Sequence, residues 1–288
     1  MPRLGAHLSI AGGLPRAIDR AVASGCEALQ IFTKSVGQWR AREIPPEERD
    51  AFRRRARETR VAPIVAHDSY LINVASADPA SRAKSVAALG EELDRADALG
   101  LDALVMHPGS HASEPDGLDL IAEALRGHLA ARKRSRVRIL LEHTAGQGTN
   151  LGHRFEHLAA IIRAVGRTRR VGVCLDTCHL ISAGYDITTP DGYRATFDAF
   201  DRIVGLDRLA LFHLNDSKRP CGSRVDRHEH IGQGCLGTAT FARILNDPRF
   251  ARLPMVIETP KQKDATARGQ VDPLDEMNLR TLRSLLRQ

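Results

Sequence analysis

Short apolar runs alternate with longer amphipathic stretches from one end of the chain to the other. The runs LGAHLSI (4–10), ALQIFT (28–33), PIVAH (63–67), ALVMHPG (103–109), RILLEHT (138–144), VGVCLDT (171–177), LALFHLND (209–216) and PMVIET (254–259) read as strands. They are nearly continuous rather than alternating in polarity, which is the pattern of parallel strands buried on both faces. Between them, PPEERDAFRRRARETR, SRAKSVAALGEELDRADALG and RFEHLAAIIRAVG carry apolar residues at helical spacing. Eight strand–helix units of about 36 residues each predict an α/β fold, the (β/α)8 or TIM barrel. Nothing in composition marks a linker or a low-complexity stretch, so residues 1–288 are expected to form a single domain.

Hydrophobic residues at 42% and charged residues at 27% suit a soluble globular chain with a substantial core. No apolar run approaches the roughly 20 residues of a membrane span. The start, MPRLGAHLSIAGG, lacks the apolar stretch of a secretory signal, so a cytoplasmic location is expected. The formal net charge of +7 is compatible with a phosphate-bearing partner without requiring one, and only six of the 42 basic residues are Lys. The basic run ARKRSR (131–136) reads as a solvated helix end. Aromatic residues are only 4%, which argues against a base-stacking platform for single strands. The five cysteines, Cys26, Cys174, Cys178, Cys221 and Cys235, form no CxxC pair and read as reduced, mostly structural thiols.

The informative pattern is where His, Asp and Glu fall relative to the strands. His67 ends the third, His107 and Glu142 lie near the ends of the fourth and fifth, and Asp176 closes the sixth. His213 comes late in the seventh and Glu258 closes the eighth. Six successive strands thus deliver a metal-ligand type at the C-terminal end, where barrel active sites are built. Burying so many ionisable groups without a cation would be costly. His179, three residues after Asp176, must lie past its strand's end, because in an extended chain the two would face opposite sides. Asp226 and His228, in the long irregular stretch 215–237, share a face if the loop is locally extended; His230 is a rival to His228. Five His and four carboxylates without a thiolate suit Zn²⁺ or Mn²⁺ in a hydrolytic site, and nine donors imply two or three ions. Three divalent cations against four carboxylates would leave a net charge of about +2, which favours a phosphodiester substrate.

At these residues the chain closely resembles endonuclease IV, the zinc-dependent apurinic/apyrimidinic endonuclease family. The resemblance runs through GAHLS, HDSYLINVAS, HPGSH, EHTAGQGTNLG, VGVCLDTCH, HLNDSK, GSRVDRHEHIGQG and VIETP, nearly the whole chain. It implies a TIM barrel with a trinuclear zinc cluster, Mn²⁺ being an alternative at one position. His67 and His107 would bind one ion, with Glu142 bridging it to a second held by Asp176, His213 and Glu258. His179, Asp226 and His228 would hold the third. The implied reaction is hydrolysis of double-stranded DNA 5′ to an abasic site, leaving a 3′-hydroxyl and a 5′-deoxyribose phosphate. A metal-activated hydroxide is the implied nucleophile, Glu142 and Glu258 the catalytic carboxylates, and no covalent intermediate is expected. An abasic nucleotide leaves the stack at lower cost than a paired one. Tyr70 and Leu71 match family side chains that push into the duplex from the minor groove.

Two departures stand out. Gly37, in FTKSVGQWR, occupies a position that in the family often carries a penetrating Arg; DNA bending and abasic-site affinity are expected to differ accordingly, with Arg40 a partial substitute. His143, often Asn in the family motif, follows Glu142 on a strand and is expected to face the opposite way, supporting or packing rather than binding. The alternatives are a metal-dependent sugar isomerase or epimerase on a xylose-isomerase-like barrel, which would not need the DTCH and VDRHEHIG residues, and a silent DNA-binding module, which would not need all nine donors. A monomer is expected.

Overall fold

The computed structural model of this chain describes residues 1–166, 168–262 and 270–287. Parallel strands β1 (Arg3–His7), β2 (Ala28–Phe32), β3 (Ile64–His67), β4 (Ala103–Met106), β5 (Arg138–Glu142), β6 (Val171–Asp176), β7 (Leu209–His213) and β10 (Pro254–Ile257) close into a barrel in chain order. Between β7 and β10 lie the two-residue strands β8 (Asp216–Ser217) and β9 (His228–Glu229), which pair antiparallel. The helices are α1 (Leu14–Ala23), α2 (Pro46–Glu58), α3 (Pro79–Leu99), α4 (Glu114–Ala131), α5 (Phe155–Val165), α6 (Thr177–Ser182), α7 (Pro190–Ile203), α8 (Gly237–Leu245) and α9 (Pro273–Ser284). Among the described residues no helix is long and apolar enough to cross a membrane.

The barrel strands stop short of the apolar runs that encode them, most visibly at 4–10 and 103–109. The strands end at His7 and Met106, although the Leu8 N–H still donates to the Gln30 carbonyl at 2.9 Å. The stretch 215–237 is not wholly irregular: Asp216↔Glu229 and Ser217↔His228 pair within it. The run ARKRSR begins at the last residue of α4, and Lys133 and Arg134 are exposed as expected. Arg132 is not free, since its guanidinium binds both oxygens of Asp94 and the carbonyl of Gly90 on α3. All five cysteines are unbonded thiols, with Cys26, Cys174 and Cys178 buried.

Strand side chains alternate between two layers. Leu29, Ile31, Leu104, Met106, Leu141, Val173, Leu175, Phe212 and Ile257 face outward and merge with the helix faces into the larger core. Ala28, Val65, Ala103, Val105, Leu140, Cys174, Leu211 and Val256 form a separate cluster made of strand residues alone, which is the barrel interior. β1 enters this interior through Gly5, where an added Cβ would lie 2.0 Å from the Ala28 carbonyl oxygen, so only glycine allows the two strands to approach. α3 starts at Asp78, whose carboxylate accepts from the Ser81 N–H, and stops at Gly100 in the left-handed conformation.

Candidate metal centre

Two residues beyond the last interior floor position of each barrel strand, on the same face, lies the layer that carries chemistry. Gly5 leads to His7, Ala28 to Gln30, Val65 to His67, Val105 to His107, Leu140 to Glu142, Cys174 to Asp176, Leu211 to His213 and Val256 to Glu258. The period of two sets this layer on a packed apolar floor at the C-terminal mouth of the barrel.

Glu142 is at its centre and fully buried. Its Oε2 lies 2.8 Å from His67 Nε2 and 3.1 Å from His107 Nε2, and its Oε1 lies 3.0 Å from His213 Nδ1. His213 Nδ1 is also 3.2 Å from Glu258 Oε2 and 3.9 Å from Asp176 Oδ2. At the next corner, Asp226 Oδ2 is 3.2 Å from His179 Nε2, and Asp226 Oδ1 is 3.2 Å from His228 Nε2. The nine residues fall into three adjoining groups: His67, His107 and Glu142; Glu142, Asp176, His213 and Glu258; and His179, Asp226 and His228. Within each group the donor atoms lie within 4.8 Å of one another. Asp176, Cys178 and His228 make a further such group, which brings a buried thiol to the edge of the centre.

Backbone carbonyls fix which nitrogen of three of the rings faces inward. His67 Nδ1 donates to the Asp68 carbonyl at 2.8 Å, His179 Nδ1 to the His143 carbonyl at 2.8 Å, and His228 Nδ1 to the Glu258 carbonyl at 3.0 Å. Each Nε2 therefore turns to the cluster, the arrangement that prepares imidazoles as ligands. The Nε2 atoms of His179 and His228 are buried without a hydrogen-bond partner, since neither aligns with the Asp226 oxygen beside it. Such orphaned donors, together with an all-nitrogen and oxygen set in the three groups, fit divalent ions of the zinc class.

Electrostatics agree with that fit. Burial works against charge on every group here, yet the imidazoles at His213 and His107 hold the Glu142 carboxylate well below its usual range. Against its own burial, the hydrogen bond and charge of Glu142 hold His67 up at about 10. Behind the layer burial prevails: His143 is pushed down to about 3, chiefly by burial and further by His179. His143 faces away from the cluster as expected, with its ring against the stacked pair Phe155 and Tyr185 and its Nε2 on the His153 carbonyl at 3.1 Å.

His230 turns away and accepts from Asn278 Nδ2 at 3.0 Å, while the short β8–β9 ladder directs His228 to the cluster. That choice depends on a pairing no local pattern announces. Two residues of the layer, His7 and Gln30, are not among the candidates read from the sequence; a His inside LGAHLSI and a Gln inside ALQIFT were the available signals. Asn215 is a third: its Nδ2 donates to Asp176 Oδ2 at 2.6 Å, and its Oδ1 accepts the Glu258 N–H at 2.7 Å.

The cluster opens through a cleft of about 150 Å³ bordered by Phe32, Tyr70, His107 and Asp226. Tyr70 is 67% exposed at its lip, and Leu71 follows, half-buried. Ser69 Oγ donates to the Val36 carbonyl at 2.7 Å, which joins this loop to the one bearing Gly37. That second loop is held on α3 by Arg95, which donates to Thr33 Oγ1 and to the Arg42 carbonyl. A Cβ built at Gly37 meets nothing within 4 Å, and Arg40 is exposed on the same loop. A groove of about 760 Å³ continues from His7, Phe32 and Glu258 toward Lys34 and Lys261.

A family model described as a xylose isomerase-like TIM barrel matches residues 18–280. A probable endonuclease 4 of Chloroflexus aurantiacus is 50% identical over 288 residues, covering 99% of both chains. The crystal structure of endonuclease IV from Thermus thermophilus superposes with a TM-score of 0.86 at 40% identity, covering 99% of this chain and 98% of that one. A D-tagatose 3-epimerase-like protein shares the fold at a TM-score of 0.72 but only 17% identity, covering 98% of each.

Proposed function

Since this chain belongs to the endonuclease IV family of xylose isomerase-like TIM barrels, and is thus a phosphodiester-hydrolysing enzyme, we propose that it cuts duplex DNA 5′ to abasic sites using three zinc ions. The observation that carries the reading is the set of three adjoining donor groups, two of them sharing Glu142, that open on one cleft. His67, His107 and Glu142 would hold the first ion; Glu142, Asp176, His213 and Glu258 the second; His179, Asp226 and His228 the third. Mn²⁺ is an alternative at one of them. Residues 1–288 act as one catalytic unit, as a monomer, in the cytoplasm.

Bound ions of this class supply activated water near neutral pH and positive charge against a phosphate. The chain supplies the rest. Glu142 sets the spacing of the first two positions, because each of its oxygens faces different imidazoles. Glu258 and Asp176 orient through Asn215, which engages both. The more exposed edge, at His107 and Asp226, is where a phosphate can approach, while Glu142, Asp176 and His213 stay out of water. Exclusion of water there strengthens every charge interaction. Tyr70 and Leu71 stand at the lip to enter the duplex as the abasic nucleotide leaves the stack. The products are a 3′-hydroxyl and a 5′-deoxyribose phosphate.

The test uses a duplex with one tetrahydrofuran abasic analogue, which cannot undergo β-elimination. Zinc-loaded protein is expected to nick it on the 5′ side and leave an end that a polymerase extends, and chelation should abolish this. A folded, zinc-loaded sample that leaves the duplex intact would overturn the reading and favour the sugar epimerase chemistry found on the same barrel.

A further inference from the structure

Gln30 is the one fully buried residue of the upper layer that is neither acid nor base. It projects from β2, two residues beyond Ala28 of the floor, and its amide reaches three neighbours. Oε1 is 2.9 Å from His213 Nε2, and Nε2 is 2.5 Å from Glu258 Oε1 and 3.0 Å from His7 Nδ1. The carboxylate fixes the orientation of this amide, because the reverse placement would set two acceptor oxygens against each other. Gln30 Oε1 therefore accepts, and the proton of His213 sits on Nε2. Nδ1, the atom that faces Glu142 and Glu258, is then the nitrogen left to take an ion. His67, His179 and His228 have their inward nitrogens set by backbone carbonyls, whereas His213 depends on a side chain.

The other end of the same amide does the complementary job. Its N–H occupies Glu258 Oε1, which leaves Oε2 as the oxygen turned to His213. His7 seconds this from β1, its ring tilted against Phe32 at 4.2 Å between centroids and its Nδ1 2.9 Å from Glu258 Oε1. We propose that Gln30 is a positioning residue of the second metal position, selecting with one amide the ligand atoms of both His213 and Glu258. This rests on the metal-centre reading above. An amide is suited to the task because it presents an acceptor and a donor at once; a carboxylate lacks the donor, and a thioether lacks the donor and accepts only weakly.

Supports of this kind are worth roughly 10–100-fold in metal affinity. Zinc-loaded wild-type, Gln30→Met and Gln30→Glu proteins would be titrated with a competing chelator while the released Zn²⁺ is counted. Gln30→Met is expected to loosen one of three ions by about 10–100-fold and leave the other two unchanged. Its kcat on the abasic duplex should fall while KM holds. Gln30→Glu keeps the acceptor for His213 and nearly the same volume, and is expected to loosen the same single ion, which decides the matter if the Met variant folds poorly. Three ions held as in wild type, or all three loosened together, would overturn the role. A wild-type protein that does not retain three ions would overturn the metal-centre reading and this inference with it, and so is told apart from a failure of Gln30 alone.

Discussion

Oδ1 of Asp176 accepts the backbone N–H of His179 at 3.0 Å, so the carboxylate that ends β6 also begins α6. Its other oxygen accepts from Asn215 at 2.6 Å. One acid thus turns a strand into a helix and places His179 in the third donor group. Asp176→Asn cannot reproduce this. If the new amide oxygen caps the helix, its NH2 meets the NH2 of Asn215, whose own oxygen is committed to the Glu258 N–H. The expected loss is about 1–3 kcal/mol from an unsatisfied buried donor. Denaturant unfolding of metal-free protein measures it; a variant as stable as wild type would refute the double role.

Glu258→Gln is expected to lower turnover by about 100-fold or more while abasic-duplex affinity stays within about two-fold, because it weakens the second donor group without touching Tyr70 or Leu71. Single-turnover rates and binding isotherms on the same duplex separate the two. Near-normal turnover would remove Glu258 from its assigned place.

The open space at Gly37 invites a side chain. Gly37→Arg is expected to tighten binding to abasic duplex by roughly three- to ten-fold, with stability unchanged, since the added Cβ meets nothing within 4 Å. An unchanged dissociation constant would mean that another side chain already fills the gap left by the extruded nucleotide.

Proton release should accompany metal loading. His67 is held up at about 10, its burial outweighed by Glu142, and His228 at about 9, its burial outweighed by Asp176 and Asp226. In metal-free protein both rings are therefore charged at pH 7, and each Nε2 must lose a proton before it can ligate. Raised values mean that these pairs stabilise the metal-free fold fully below the ordinary imidazole range near 6.5, and lose that contribution as pH rises through about 9 and 10. Zinc calorimetry at pH 7 in buffers of different ionisation enthalpy should show more than one proton released, fewer as the pH approaches 10. Buffer-independent heats would contradict this.

Much of the fold was legible because parallel barrel strands are written as apolar runs closed by a polar residue, as in PIVAH or VGVCLD. The ring of donors was legible for the same reason: His67, Glu142, Asp176 and His213 are the last residues of their strands. What escaped depends on contacts far apart in sequence. Nothing local distinguishes His228 from His230; Ser217 and Asn278 do so from 11 and 48 residues away. Gln30 escaped because its partners, His213 and Glu258, are 183 and 228 residues distant. Arg132 looked like a solvated charge because Asp94 lies on a different helix.

The floor of Ala28, Val65, Leu140, Cys174, Leu211 and Val256 separates what holds the barrel closed from what reacts above it. A lineage can therefore rewrite the upper storey, one residue per strand, while inheriting the lower one intact. Divergence of chemistry on this scaffold needs few simultaneous changes, and reconstructing its ancestors should show floor residues settled long before the donors above them.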